Sequence, residues 1–220
     1  MRTLIVMAKN PQSGNVMTRL SDCLSPCERA ELSDALLFDA LEKATKAADR
    51  IFCFMVPNTG NLAERLQMEV SFESQSGSDL GERIVNAVHS VFERGAKKTV
   101  VIGTDCPLLE ADAIVSVFEA LETGRDAVIG PANDGGYYLI GMSANFEFLF
   151  DEIQWGGGDV LSDTIEAGKS RGLDLSLLKN LPDLDHPEDL AALFNHFEQL
   201  ETTAPRTKEW LKKNQAKIES

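Results

Sequence analysis

With 220 residues, 43% of them hydrophobic, the chain can bury a substantial core without disulfide or metal staples, and one domain is the default expectation. Its 35 acidic residues against 21 basic ones give a formal net charge of −14. That excess excludes nucleic acid as a partner, because backbone binding depends on clustered Lys and Arg that neutralise phosphates.

Nearly continuous apolar runs of strand length occur at Thr3–Ala8, Ile51–Val56, Thr99–Gly103 and Ala127–Gly130, as expected of strands covered on both faces. Helical patterns lie between them. The first begins at Ser25-Pro26, a capping residue followed by proline at the first helical position, and carries Leu32, Leu36, Leu37 and Leu41 at core-facing spacing. A second spans Asp79 to about Arg94, and a third Glu110 to Glu122, before Gly124. After Gly135-Gly136 the run Tyr137–Gly141 reads as a further strand following a tight turn. Beyond it come a helix over Asp159–Arg171, a strand over Leu173–Leu178, a helix over Pro187–Leu200, and a polar tail that forms a peripheral helix with a frayed end. Strand–helix–strand alternation of this kind predicts a parallel sheet with helices on both sides.

No stretch approaches the roughly 20 apolar residues that span a bilayer, and Met1 leads directly into a strand-like segment. The four cysteines, Cys23, Cys27, Cys53 and Cys106, form no C-x-x-C pair. A cytoplasmic protein with no membrane partner is therefore expected, as a monomer or homodimer.

Ligands of open α/β sheets bind beyond the carboxyl ends of the strands. An anionic ligand would be repelled by the overall charge, so its site must supply positive charge locally, through a few basic side chains or a cation. The loop after the first strand, Ala8–Leu20, offers Lys9, Arg19 and backbone N–H groups near Gly14; a solvated surface loop fits the spacing equally well. It is neither G-x-x-x-x-G-K-[ST] nor G-x-G-x-x-G. In Gly103-Thr104-Asp105-Cys106-Pro107, Asp105 stands at a strand end where one carboxylate can share Mg²⁺ with substrate phosphates, or simply cap the next helix. In Asp183-Leu184-Asp185-His186-Pro187-Glu188, Asp185 and Glu188 have capping-box spacing, and Asp185 is also a candidate second metal carboxylate. Asn133-Asp134-Gly135-Gly136-Tyr137-Tyr138 combines a possible general base, Asp134, with glycines that permit close backbone approach; Tyr137 and Tyr138 either flank a ligand or belong to an ordinary strand. Finally, Ser78-Asp79-Leu80-Gly81-Glu82-Arg83 opens a helix whose free N–H groups suit an anion or a base edge, with capping as the plain alternative.

In order, A-K-N-P-x-x-G-x-x-x-T-R-L, S-D-L-G-E-R, G-T-D-C-P, G-P-A-N-D-G-G-Y-Y-L-I-G and D-L-D-H-P-E-D-L resemble a bacterial family of glycosyltransferase-like proteins associated with radical-SAM and selenoprotein-linked gene contexts. The resemblance covers about residues 3–195. It implies the nucleotide-diphospho-sugar transferase superfamily: a single-domain GT-A, Rossmann-like α/β/α sandwich with a mostly parallel mixed sheet, similar to molybdenum-cofactor and phospholactate nucleotidyltransferases. Residues 1–200 would form that domain and 201–220 its peripheral helix or tail. Lys9, Gly14, Thr18 and Arg19 would line nucleotide phosphates, Asp79, Leu80, Gly81 and Arg83 the base or ribose, and Asp105 with Asp185 would hold Mg²⁺ or Mn²⁺.

Thr104, Gly135, Gly136 and Tyr137 complete the expected substrate-binding set, and Arg19, Asp105 and Asp134 the catalytic one. Three positions depart from the family pattern: Met17 replaces a lysine, Gly156 follows Trp155 where Ser or Thr is usual, and His186 replaces a threonine. The implied activity is a metal-dependent transferase that uses a nucleoside triphosphate or nucleotide-sugar and an unknown small-molecule acceptor. The alternative is a catalytically inactive nucleotide-binding or regulatory module of the same fold.

Overall fold

A computed structural model describes residues 1–57 and 69–218. Its strands are β1 (Arg2–Lys9), β2 (Arg50–Val56), β3 (Val70–Ser74), β4 (Lys98–Ile102), β5 (Ala127–Pro131), β6 (Tyr137–Met142) and β7 (Leu175–Leu177). They form one seven-stranded sheet in the order β3-β2-β1-β4-β6-β5-β7. Only β6 runs antiparallel to its neighbours; every other pairing is parallel. The described helices are α1 (Pro26–Ala47), α2 (Leu80–Glu93), α3 (Ala111–Glu122), α4 (Val160–Ser170), α5 (Pro187–Ala192), α6 (Leu200–Thr203) and α7 (Pro205–Ile218).

The period-two alternation of β1 builds the two faces. Leu4, Val6 and Ala8 enter a core shared with α1 and α3, while Ile5 and Met7 enter one shared with α2. Complete burial of such side chains contributes about 1.5–3 kcal/mol each, so a strand apolar on both faces is fixed in the middle of the sheet. The result is the α/β sandwich expected from the sequence, with helices on both faces. A third cluster joins Leu20, Leu32 and Leu36 to Leu184, Leu190 and Leu200. Here α7 is tied in: Trp210 and Leu211 are buried in the cluster. Its first turn is capped from a distance by Asp39 of α1, whose carboxylate accepts from Arg206 N (3.1 Å), Thr207 N (2.8 Å) and Thr207 Oγ1 (2.7 Å).

Two elements differ from the sequence expectation. Strand β3 was not foreseen, because V-S-F-E-S is a half-buried edge strand without an apolar run. The helix expected over Pro187–Leu200 ends at Ala192 and continues as a 3-10 turn, Leu193–His196, before α6. Leu190 and Leu193, on either side of the change of winding, both enter the third cluster.

Because β1, β4 and β5 run the same way and β6 runs against them, Lys9, Gly103, Ala132 and Tyr137 all open onto one edge of the sheet. Among the described residues, no helix is long and apolar enough to cross a membrane.

Candidate functional site

The loop after β1 is anchored from within. Asn10 is 1% exposed, and its Oδ1 accepts from Gln12 N at 2.9 Å, starting the 3-10 turn Pro11–Ser13. Gly14 ends that turn at φ 73°, where glycine meets no steric penalty. Buried Val16 and Leu20 fasten the rest, and Arg29 donates to the Val16 carbonyl at 3.1 Å. Lys9, Gly14, Thr18 and Arg19 are left exposed. Met17, in the left-handed region at φ 47°, packs against the third cluster, so the residue that replaces a lysine serves the core.

The turn after β4 is held from below and from the side. Lys43, buried in α1, donates to the Pro107 carbonyl at 3.1 Å, and burial lowers its pKa to about 8. Leu184 N donates to the Asp105 carbonyl at 2.8 Å, and Cys106 Sγ to the Pro182 carbonyl at 3.6 Å. These bonds stitch the strand-β4 loop to the segment 182–185. The Asp105 carboxylate folds back over Gly103, where an added Cβ would lie 2.6 Å from Oδ1. Asp105 and Asp185 therefore lie on adjoining loops.

The capping role in that segment falls one step later than the sequence suggested. Asp189, rather than Glu188, accepts from the backbone N–H groups of His186 (2.7 Å) and Asp185 (3.1 Å). This leaves the Asp185 carboxylate outside the cap, where it forms an ion pair with Arg19. Leu184 is buried, so Asp183 and Asp185, one residue either side of it, turn away from the core. Asp183 is the residue that sequence reasoning missed. The signal was present as D-L-D, a buried leucine between two carboxylates.

Asp105, Asp134 and Asp183 share one electrostatic environment. Desolvation comes first in lifting Asp105 above the usual carboxylate range; Asp183 and Asp134 add to it, and Lys9 opposes it. Asp183 is raised likewise, by desolvation and then by Asp134. The expected catalytic carboxylate Asp134 is exposed, and its Oδ1 accepts from Gly136 N at 2.8 Å. Among the described residues no group of three or more His, Cys, Asp or Glu forms a ready metal cage. Mg²⁺, which takes one or two carboxylates and completes its shell with water and substrate phosphate, would draw on Asp105 and Asp183, of which the second raises the pKa of the first.

The glycine turn meets a neighbour that the sequence did not reveal. Gly135, at φ 88°, lies so close to Gly158 that a Cβ would come within 2.1 Å of its carbonyl oxygen, and Leu161 N donates to the Gly135 carbonyl at 2.9 Å. The missing side chain of Gly135 thus lets the two loops touch. Tyr137 turns its hydroxyl into the core beside Thr164, and burial raises its pKa. Tyr138 packs its ring on Gly130 and donates to the Lys179 carbonyl at 3.0 Å.

At the start of α2, Asp79 accepts from Glu82 N at 2.9 Å as the helix cap, and Glu82 accepts from Ser78 N at 2.7 Å. Arg83 braces the approach to the helix through the Gly77 carbonyl at 3.1 Å. Leu80 is 46% exposed, and Gly81 lies against the Trp155 indole, where a Cβ would be 2.0 Å from Nε1. Trp155 and Tyr137 meet edge to face at 6.2 Å, so this helix start adjoins the glycine turn.

The sheet order and its single antiparallel strand among the described strands are those of an α/β fold shared with a provisionally assigned nucleotide-diphospho-sugar transferase. A protein of Desulfovibrio desulfuricans G20, provisionally assigned as a nucleotide-diphospho-sugar transferase, is 30% identical over 99% of this chain and 96% of its own, with a TM-score of 0.90. More distant likenesses show the fold alone. A cytidylyltransferase from Leptospira borgpetersenii serovar Hardjo-bovis has a TM-score of 0.59 at 15% identity, covering 99% of this chain and 96% of its own. A 4-diphosphocytidyl-2C-methyl-D-erythritol synthase has 0.58 at 13%, covering 87% and 95%. The chain belongs to the family described as "Uncharacterized protein conserved in bacteria (DUF2064)", whose profile matches residues 37–157. No curated protein matches it significantly in sequence.

Proposed function

We propose that the protein is a metal-dependent transferase that takes a nucleoside triphosphate or a nucleotide-sugar as donor. The observation that carries this reading is the convergence of Asp105, Asp134, Asp183 and Lys9 at the carboxyl edge of the sheet. Asp105 and Asp183, raised above the usual carboxylate range by desolvation and by neighbouring carboxylates, would gain from a cation beside them. Asp105 and the Asp183–Asp185 segment would hold Mg²⁺ or Mn²⁺, which when bound supplies charge neutralisation at phosphate oxygens. Lys9, Thr18, Arg19 and the backbone at Gly14 bind the donor phosphates. The start of α2, from Asp79 to Arg83, borders the base or ribose. Asp185 restrains Arg19 until an anionic donor competes for the guanidinium.

In the transfer, an acceptor oxygen forms the new bond to the donor, and the bond to pyrophosphate or nucleoside diphosphate breaks with its electron pair. The acceptor proton passes to Asp134. Thr104, Gly135 and Gly136 border the reacting groups, whereas Tyr137, expected among them, gives its hydroxyl to the core. Kinship with glycosyltransferase-like proteins of radical-SAM-linked gene contexts forms part of the proposal and rests on the motifs.

The test is a panel of nucleoside triphosphates and nucleotide-sugars with Mg²⁺ or Mn²⁺ and candidate acceptors, reading pyrophosphate and nucleoside diphosphate release. Pyrophosphate identifies nucleotidyl transfer, and nucleoside diphosphate identifies glycosyl transfer. Turnover that survives intact in Asp105→Ala refutes the site.

A further inference from the structure

Two basic side chains of α1 reach loops at the carboxyl edge of the sheet. Arg29 donates to the Val16 carbonyl in the loop after β1 at 3.1 Å. Lys43, about four turns further along the helix, donates to the Pro107 carbonyl in the turn after β4, also at 3.1 Å. Lys43 is 6% exposed, and burying an ammonium costs more than burying a neutral donor. Burial opposes its charge, while Cys106 and Asp39 favour it. Asp39 is itself taken up in capping α7, so among the described residues the Pro107 carbonyl is the amine's one hydrogen-bond partner.

The bond falls where the turn offers no other handle. Three successive carbonyls are held from three places: Asp105 by Leu184 N at 2.8 Å, Cys106 by Leu109 N at 3.2 Å, and Pro107 by Lys43. Buried Pro107 has no N–H, so the carbonyl is its only backbone hydrogen-bonding group. The Asp105 carboxylate lies folded over Gly103 at the head of the same turn. A rotation of the peptide planes that follow Asp105 would carry that carboxylate with it.

We infer that Lys43 is a positioning residue, which through the Pro107 carbonyl holds the Asp105 turn in the geometry that receives the donor and its cation. The hold needs an N–H rather than a charge, since a neutral amine also donates. That Lys43 fixes the turn follows from the hydrogen bonds. Its consequence for donor binding rests on the transferase reading.

The experiment compares the wild type with Lys43→Met and Lys43→Arg. Methionine fills the space without a donor, and an apolar side chain of similar volume often replaces a buried charge at little cost in stability. Arginine keeps a donor of similar reach. Lys43→Gln, one bond shorter, gives the same comparison should methionine disturb the fold. Amide hydrogen exchange over residues 103–109 is read against that of β5. Calorimetric titrations with ATP, GTP, CTP, UTP and UDP-glucose are run with and without Mg²⁺. In Lys43→Met, exchange over 103–109 is expected to quicken about tenfold while β5 is unchanged. The gain in donor affinity on adding Mg²⁺ should fall about tenfold, with affinity in the absence of Mg²⁺ kept. Lys43→Arg should retain both properties.

Wild-type exchange over 103–109 in Lys43→Met overturns the inference. So does a loss of donor affinity by the same factor with and without Mg²⁺, which is the mark of a general structural role. If none of these nucleotides binds the wild type, the transferase reading fails, and the exchange comparison still decides whether Lys43 holds the turn.

Discussion

Gly135 and Gly156 form a matched pair that isolates the contact between the glycine turn and the Gly156–Gly158 loop. Both have left-handed backbones, at φ 88° and 86°, but a Cβ at Gly135 would meet the Gly158 carbonyl oxygen at 2.1 Å whereas one at Gly156 meets nothing within 4 Å. Alanine at either position incurs about 1–2 kcal/mol of backbone strain. It also recovers a few tenths to about 1 kcal/mol through the unfolded chain. Both effects cancel in the comparison. Gly135→Ala must additionally push two backbones apart, an overpacking cost of about 1–3 kcal/mol. A gap near 2 kcal/mol corresponds to roughly 4–8 °C in Tm for a chain of this size. Urea and thermal unfolding of the two variants measure it. Equal destabilisation would refute the contact, and with it the claim that Gly135 is required for the two loops to meet.

Asp105 and Asp183 both have carboxyl pKa values raised in the folded state, so that state retains protons the unfolded chain has shed. Their joint contribution therefore falls as pH rises through the window above the ordinary carboxylate pKa. Thermal unfolding across that window should show this decline, Mg²⁺ should offset it increasingly at the higher pH, and Asp105→Asn should flatten it; a variant slope equal to that of the wild type contradicts the coupling. Asp39→Ala removes the cap that receives three hydrogen bonds from the start of α7 and is expected to cost about 3 kcal/mol by denaturant titration. Nucleotide affinity should be unaffected, since Asp39 serves the C-terminal helix.

Strands with both faces buried were legible because each is an unbroken apolar run: β1, β2, β4 and β5 fall within two residues of their expected ends. The Ser25 cap was equally plain, with Ser25 N donating to Glu28 Oε2 at 2.7 Å. Edge strand β3 was hidden because only half its surface meets the core. At the site, the sequence identified the loops but not the allegiance of individual carboxylates. Asp185 and Asp183 flank the same leucine, and only the folded chain sends one to Arg19 and the other into the field of Asp105. The contact of Gly135 with Gly158 joins positions 23 residues apart in number, and no local pattern announces it.

The most direct test of the central claim is calorimetric titration of the wild-type protein, Asp105→Asn and Asp183→Asn with a panel of nucleoside triphosphates and nucleotide-sugars, with and without Mg²⁺. The account predicts at least one donor whose binding depends on Mg²⁺ and is weakened about tenfold or more in each variant. A donor that binds equally well without the cation, or in both variants, would contradict it.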